Sequence, residues 1–101
     1  NLLCIPMLRN RYDLKVGYSG HESSLLKVCI SAVALGATSI ERHVTLDRTM
    51  YGSDQAASIE ANSLRSFVET IRKVPEILGT GVKEMSEAER KVREKLRVSV
   101  E

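Results

Sequence analysis

In the stretch Ser39-Ile40-Glu41-Arg42-His43-Val44-Thr45-Leu46-Asp47 a carboxylate and an imidazole stand two residues apart. Read as a strand, the stretch puts Glu41 and His43 on one face and Ile40, Arg42 and Val44 on the other. Burying such a polar pair costs several kcal/mol unless something pairs with it. Upstream, Lys15-Val16-Gly17-Tyr18-Ser19-Gly20-His21 repeats the pattern, with Gly17, Ser19 and His21 on one face and Val16 and Tyr18 on the other. Two imidazoles on neighbouring strand ends, roughly 5 Å apart in the sheet direction, can share a metal and leave positions open on it. Nitrogen and oxygen donors suit a divalent ion such as manganese, and a site with open positions suits a Lewis acid acting on a carbonyl. The plain alternative is two unrelated histidines, one in a loop and one in a core. Their company argues against it, because Glu41 shares the face of His43 and Ser19 that of His21.

To meet, the two histidines need a crossover. Leu25 to Leu35 is apolar, closed by Gly36, and about the length a helix needs to set two parallel strands side by side. The unit is β-α-β, and both histidines then leave at the carboxyl ends of adjacent strands, where α/β sheets hold their ligands. Residues Glu22, Ser23 and Ser24 supply caps and negative charge for the helix start, and Gly20 permits a bend before His21. The crossover is apolar almost all round, which predicts burial on both sides.

Residues 1–14 read as the end of a helix, without an initiating methionine, as in a fragment of a longer chain. Residues 47–58 read as an irregular loop with two aspartates, Asp47 and Asp54, and loops of that length at strand ends are usually functional. Leu64, Phe67, Val68, Ile71, Val74 and Leu78 recur at helical steps, with Pro75 expected to kink or break the last turn and Gly79 and Gly81 to end it. From Lys83 to Arg97 acidic and basic residues alternate on what reads as a solvated helix, followed by the strand-like Leu96-Arg97-Val98-Ser99-Val100. The expected division is 1–82 as the C-terminal portion of a larger domain and 83–101 as a charged helix or linker towards a further C-terminal domain.

Bulk composition narrows the function classes. With 43% hydrophobic and 28% charged residues the chain reads as globular. A net charge of +2, three tyrosines, one phenylalanine and no tryptophan give no reason to expect nucleic acid. No apolar run approaches the ~20 residues of a membrane span. Cys4 and Cys29 lack metal spacing and sit among apolar residues, so we expect free thiols in a reducing, cytoplasmic setting.

At these residues the chain resembles the sialic acid synthases, which condense phosphoenolpyruvate with N-acetylmannosamine or its 6-phosphate. The resemblance runs from about Leu8 to about Lys83. It lies in Val16-Gly17-Tyr18-Ser19-Gly20-His21-Glu22, in Ala32 to Ala37, in Ile40 to Asp47 and in Gly52-Ser53-Asp54-Gln55-Ala56-Ala57-Ser58. It implies an α/β fold, the last two β-α units of a (β/α)8 TIM barrel present as a fragment. It implies His21 and His43 as ligands of manganese, with magnesium as the alternative. Ser19 falls where the family contacts the phosphate or carboxylate of phosphoenolpyruvate, Glu41 where a carboxylate supports metal and substrate at the catalytic centre, and Asp54 where the acceptor sugar's hydroxyls are held. The product would be N-acetylneuraminate or its 9-phosphate, made by a full-length homodimer. This stretch alone would be inactive, since the remaining phosphoenolpyruvate-holding and acid/base residues belong to earlier strands. Two other readings stand beside it. One is a sister synthase making legionaminic or pseudaminic acid. The other is a non-catalytic helical fragment or binding module.

Overall fold

The computed structural model describes residues 1–96. Helix α1 spans Cys4–Tyr12. Pro6 is tolerated because it lies in the first turn, where the backbone N–H has no partner within the helix. The helix stops where Asp13 turns left-handed (φ 52°) and donates its N–H to the Arg9 carbonyl at 2.9 Å.

Strand β1 (Tyr18–Ser19) pairs in parallel with β2 (Ile40–Glu41), in the register Tyr18 to Ile40 and Ser19 to Glu41. The ladder continues backwards through the Tyr18 N–H on the Ser39 carbonyl and the Thr38 N–H on the Val16 carbonyl, both 2.9 Å. Gly17 allows that approach, because a Cβ there would run into the Ser39 side chain. Helix α2 (Leu25–Ala34) makes the crossover, and Gly36 (φ 105°) follows its end. The β-α-β unit expected from the spacing is therefore present.

Three expectations change. The stretch from Ser39 to Asp47 is not one strand with one neighbour. After β2 the chain changes partner at Arg42-His43, and β3 (Val44–Thr45) pairs in parallel with a short β4 (Ile59–Glu60), joined also by the Ile59 N–H on the His43 carbonyl at 2.8 Å. The alternation slips there, so that Val44 is 54% exposed and Thr45 is buried. The segment read as an irregular loop holds a 3-10 turn at Gln55–Ala57, and a second turn, Ala61–Ser63, leads into helix α3 (Leu64–Leu78). Helix α3 does not break at Pro75 but runs three residues past it. The ring removes only one hydrogen bond, close to the helix end, while buried Val74 holds the turn and the Gly79 N–H closes on the Pro75 carbonyl at 3.1 Å.

Helix α2 is also less enclosed than its composition suggests. Cys29 and Ala32 are fully buried, but Leu26 is exposed, since α3 packs against one side and α1 with the strands against another. The core is Ile5, Ala32 and Ala37, with Leu2, Val16, Tyr18, Leu35 and Ile40 packed on it. Both cysteines are free thiols, Cys4 half-buried and Cys29 fully buried, where burial pushes its pKa up. The radius of gyration is 19.7 Å, against about 13 Å for a compact domain of this length, so the molecule is a slab rather than a ball.

Helix α4 (Glu87–Leu96) is exposed along its whole length. Ser86 starts it, its Oγ accepting the Glu89 N–H at 3.1 Å in the manner of an N-cap. Of the expected strand-like run, Leu96 closes this helix and residues 97–100 lie outside the described residues. Among the described residues no helix is long and apolar enough to cross a membrane.

Candidate metal centre

At the carboxyl ends of β1 and β2 the structure brings three of the five expected site residues into one cluster. The Nε2 atoms of His21 and His43 face each other at 3.1 Å, with ring centroids 5.0 Å apart and planes tilted by 38°. A carboxylate oxygen of Asp54 joins them, and the three donor atoms all lie within 4.8 Å of one another. All three residues are exposed. Asp54 starts the Gln55–Ala57 turn, and its carbonyl accepts the Ala57 N–H at 3.2 Å and the Ser58 hydroxyl at 2.6 Å. Its carboxylate makes no capping bond, so the role of turn cap does not account for it.

The remaining two lie beside the cluster. Ser19 and Glu41 face each other across the strand pair, the Ser19 hydroxyl donating to Glu41 Oε1 at 2.9 Å. One Glu41 oxygen is thereby held by the protein, and the side chain remains exposed.

The donor set fits a divalent ion. Two nitrogens bound at ~2.1 Å and roughly at right angles stand about 3 Å apart, which is the spacing of the two imidazoles. Neutral imidazole and carboxylate are ligands for borderline to hard ions, and three protein donors would leave open positions.

Behind this cluster lies a network that the motif reading passes over. The Tyr18 hydroxyl donates to Glu22 Oε1, and Arg42 Nη1 meets Glu22 Oε2 at 2.6 Å. Arg42 Nη2 donates to the Glu22 carbonyl and, at 2.8 Å, to the Ala57 carbonyl. The hydrogen bond from Tyr18, with Arg42 beside it, holds the Glu22 carboxyl below its ordinary value against the opposing effect of burial. Burial and the facing Glu22 push the Tyr18 phenol up to about 12. The proton therefore stays on Tyr18 and the charge on Glu22. Gly20 makes room for this arrangement, since a Cβ there would stand 2.6 Å from Arg42 Nη1 and 2.7 Å from the Tyr18 oxygen. Its φ is not positive, so space rather than a bend requires the glycine. Arg48 adds bonds from Nε to the Ala56 carbonyl at 3.0 Å and from Nη2 to the Ser23 carbonyl at 3.4 Å. The signal available in the sequence was Arg42 itself. A charge on the same strand face as Ile40 demands partners by the reasoning that singles out Glu41 and His43.

Comparison with known proteins bears on the same residues. The model of the NeuB family matches residues 1–83. The chain is 44% identical over 88 residues to N-acetylneuraminate-9-phosphate synthase of Homo sapiens, covering 87% of this chain and 24% of that protein. It is 40% identical over 91 residues to N,N'-diacetyllegionaminic acid synthase of Campylobacter jejuni, covering 90% of this chain and 27% of that protein. Among solved structures it superimposes on the N-acetylneuraminic acid (sialic acid) synthetase of Leptospira borgpetersenii, determined with citrate, at a TM-score of 0.77 and 35% identity, over 98% of this chain and 35% of that one. The chain thus spans about a quarter of the length of the curated relatives it matches.

Proposed function

The chain belongs to the NeuB family, and from that premise we propose that it carries the metal end of a synthase that condenses phosphoenolpyruvate with N-acetylmannosamine or its 6-phosphate. The products are N-acetylneuraminate or its 9-phosphate, and phosphate. Its two β-α units are the last two of a (β/α)8 barrel, which supplies the remaining substrate-holding and acid/base groups. The observation that carries the reading is the 3.1 Å approach of His21 and His43 through their Nε2 atoms.

His21 and His43 hold the divalent ion, manganese or in its place magnesium, with their Nε2 lone pairs. When bound, the ion supplies a Lewis acid for the carbonyl of the acceptor. Glu41, oriented by Ser19, presents a negative oxygen to the substrates beside the imidazoles. Ser19 stands where phosphoenolpyruvate's phosphate or carboxylate is met, and its one hydroxyl proton reaches that anion by turning away from Glu41. Asp54, whose carboxylate is not engaged in capping, accepts hydroxyl hydrogen bonds from the acyclic sugar, and charge-assisted bonds of this kind fix orientation better than neutral ones.

In the full-length protein, His21→Ala and His43→Ala should each weaken manganese binding by at least about tenfold and abolish condensation. Metal content by mass spectrometry and phosphate release measure the two effects. Unchanged metal in both variants sinks the metal reading and favours a non-catalytic module. The similarity to both a sialic and a legionaminic acid synthase makes the acceptor the second measurement. Turnover of a diacetylated sugar in preference to N-acetylmannosamine would assign the legionaminic product instead.

A further inference from the structure

One side chain links the three segments from which the clustered groups project, standing on one and bonding to the other two. Arg42 immediately precedes His43. Its guanidinium reaches the carboxylate and the carbonyl of Glu22, the residue after His21, and the carbonyl of Ala57, three residues past Asp54. Its side chain is 1% exposed, and its Nε is buried without a partner. A buried guanidinium is costly unless its donors are met. Here Nη1 and Nη2 are met by one carboxylate and two main-chain oxygens, which belong to segments far apart in the chain. Arg48 ties the same two segments from outside, through the Ala56 and Ser23 carbonyls. The apolar core of Ile5, Ala32 and Ala37 makes none of these bonds, though Tyr18, which packs on it, donates to Glu22.

Resting on the metal reading above, we propose that Arg42 is a positioning residue for the divalent ion. By holding Glu22 and Ala57 at once, it sets the spacing of His21 and His43, and with it the affinity of the site, and keeps the Asp54 turn beside them. It touches neither the ion nor the substrates. The fork is what the task requires, because a planar guanidinium can bridge separate acceptors in a fixed geometry and a lysine ammonium cannot.

The test is titration of the full-length protein with manganese alone, by calorimetry, in Arg42→Lys, Glu22→Gln, Ile5→Ala and His21→Ala. Arg42→Lys keeps the charge and loses the fork, so affinity should fall roughly 10- to 100-fold, the usual loss when the partner behind a ligand is removed. Glu22→Gln keeps an acceptor and loses only charge, so about fivefold is expected, and it decides the matter if Arg42→Lys does not fold. Ile5→Ala lowers stability away from the clamp and should leave affinity within about twofold. The proposal is overturned if both clamp variants bind manganese as the parent does, or if Ile5→Ala loses as much affinity as Arg42→Lys. Loss of metal in His21→Ala with full binding in the clamp variants overturns this proposal alone. Retention of metal in His21→Ala overturns the metal reading and this proposal with it.

Discussion

The two ends of the β1–β2 pair are held together by different physics. At the amino end, Val16, Ile40, Leu35, Ala32, Ala37 and Ile5 exclude water and need no directed bonds. At the carboxyl end, Arg42 and Arg48 reach the Glu22 carboxylate and main-chain oxygens, joined by the hydroxyl of Tyr18, whose ring packs on the apolar core, and nearly every contact has a donor and an acceptor. Apolar packing tolerates small shifts. A hydrogen-bonded clamp has two states, made or unmade, because an unmatched buried donor costs about 1–3 kcal/mol. On the proposed metal reading the difference suits the work, since the amino end would only have to stay closed while the carboxyl end would have to keep the His21 and His43 nitrogens at their 3.1 Å spacing.

The comparison breaks if damage to one end spreads to the other. The largest effect belongs to the apolar end. Ile5→Ala should cost about 2–5 kcal/mol of stability, the usual range for truncating a buried isoleucine, with the manganese affinity of the folded protein kept. Denaturant unfolding combined with metal titration measures both. Loss of affinity in step with stability would mean that the two ends are one unit.

A smaller effect is expected from Asp54→Ala, which should leave metal and phosphoenolpyruvate binding nearly intact while kcat/KM for the sugar falls at least tenfold, about 1.4 kcal/mol. Steady-state kinetics with each substrate varied in turn decide it. Because the carboxylate stands beside both imidazoles, loss of metal in this variant would move Asp54 into the ligand set.

The smallest effect near neutral pH concerns Tyr18. Its pKa is raised to about 12 in the folded protein, so the bond to Glu22 is fully present below the ordinary tyrosine value of about 10 and is lost as pH rises through the folded value. Ultraviolet titration should show one tyrosine of the three ionising late, and Glu22→Gln should bring it back towards the others. Three tyrosines titrating together in the native protein would mean that the clamp is open in solution.

What the sequence makes legible follows the same divide. Period-two alternation around Glu41 and His43, and an apolar run of crossover length between the strands, suffice to bring His21 and His43 together. Both cues are local patterns with a known geometry. Of the clamp only Arg42's need for partners is legible, and not which partners meet it, because apart from Glu22 both arginines bond to carbonyls, and every residue has a carbonyl. Strand β4 is hidden for a related reason. Ile59-Glu60 is too short to show a period, and its pairing with Val44-Thr45 is decided by where the turn after Asp54 delivers it. Pro75 misleads in the opposite direction, since the rule against proline in helices weakens where few hydrogen bonds remain to be lost.

Cys29, sealed on the inner face of the crossover helix while Cys4 is only half-buried, turns this architecture into a clock. A thiol with no solvent contact and a raised pKa reacts with an alkylating reagent only when α2 lifts away, so its modification rate measures the free energy of that local opening. Cys4 reacts without such an opening and serves as the internal reference. An ion held between His21 and His43 ties together the two strands that α2 connects, so by mass action it slows the clock by the factor 1 + [L]/Kd. On the metal reading, the chain would thus carry in Cys29 a chemical readout of whether the imidazoles are occupied.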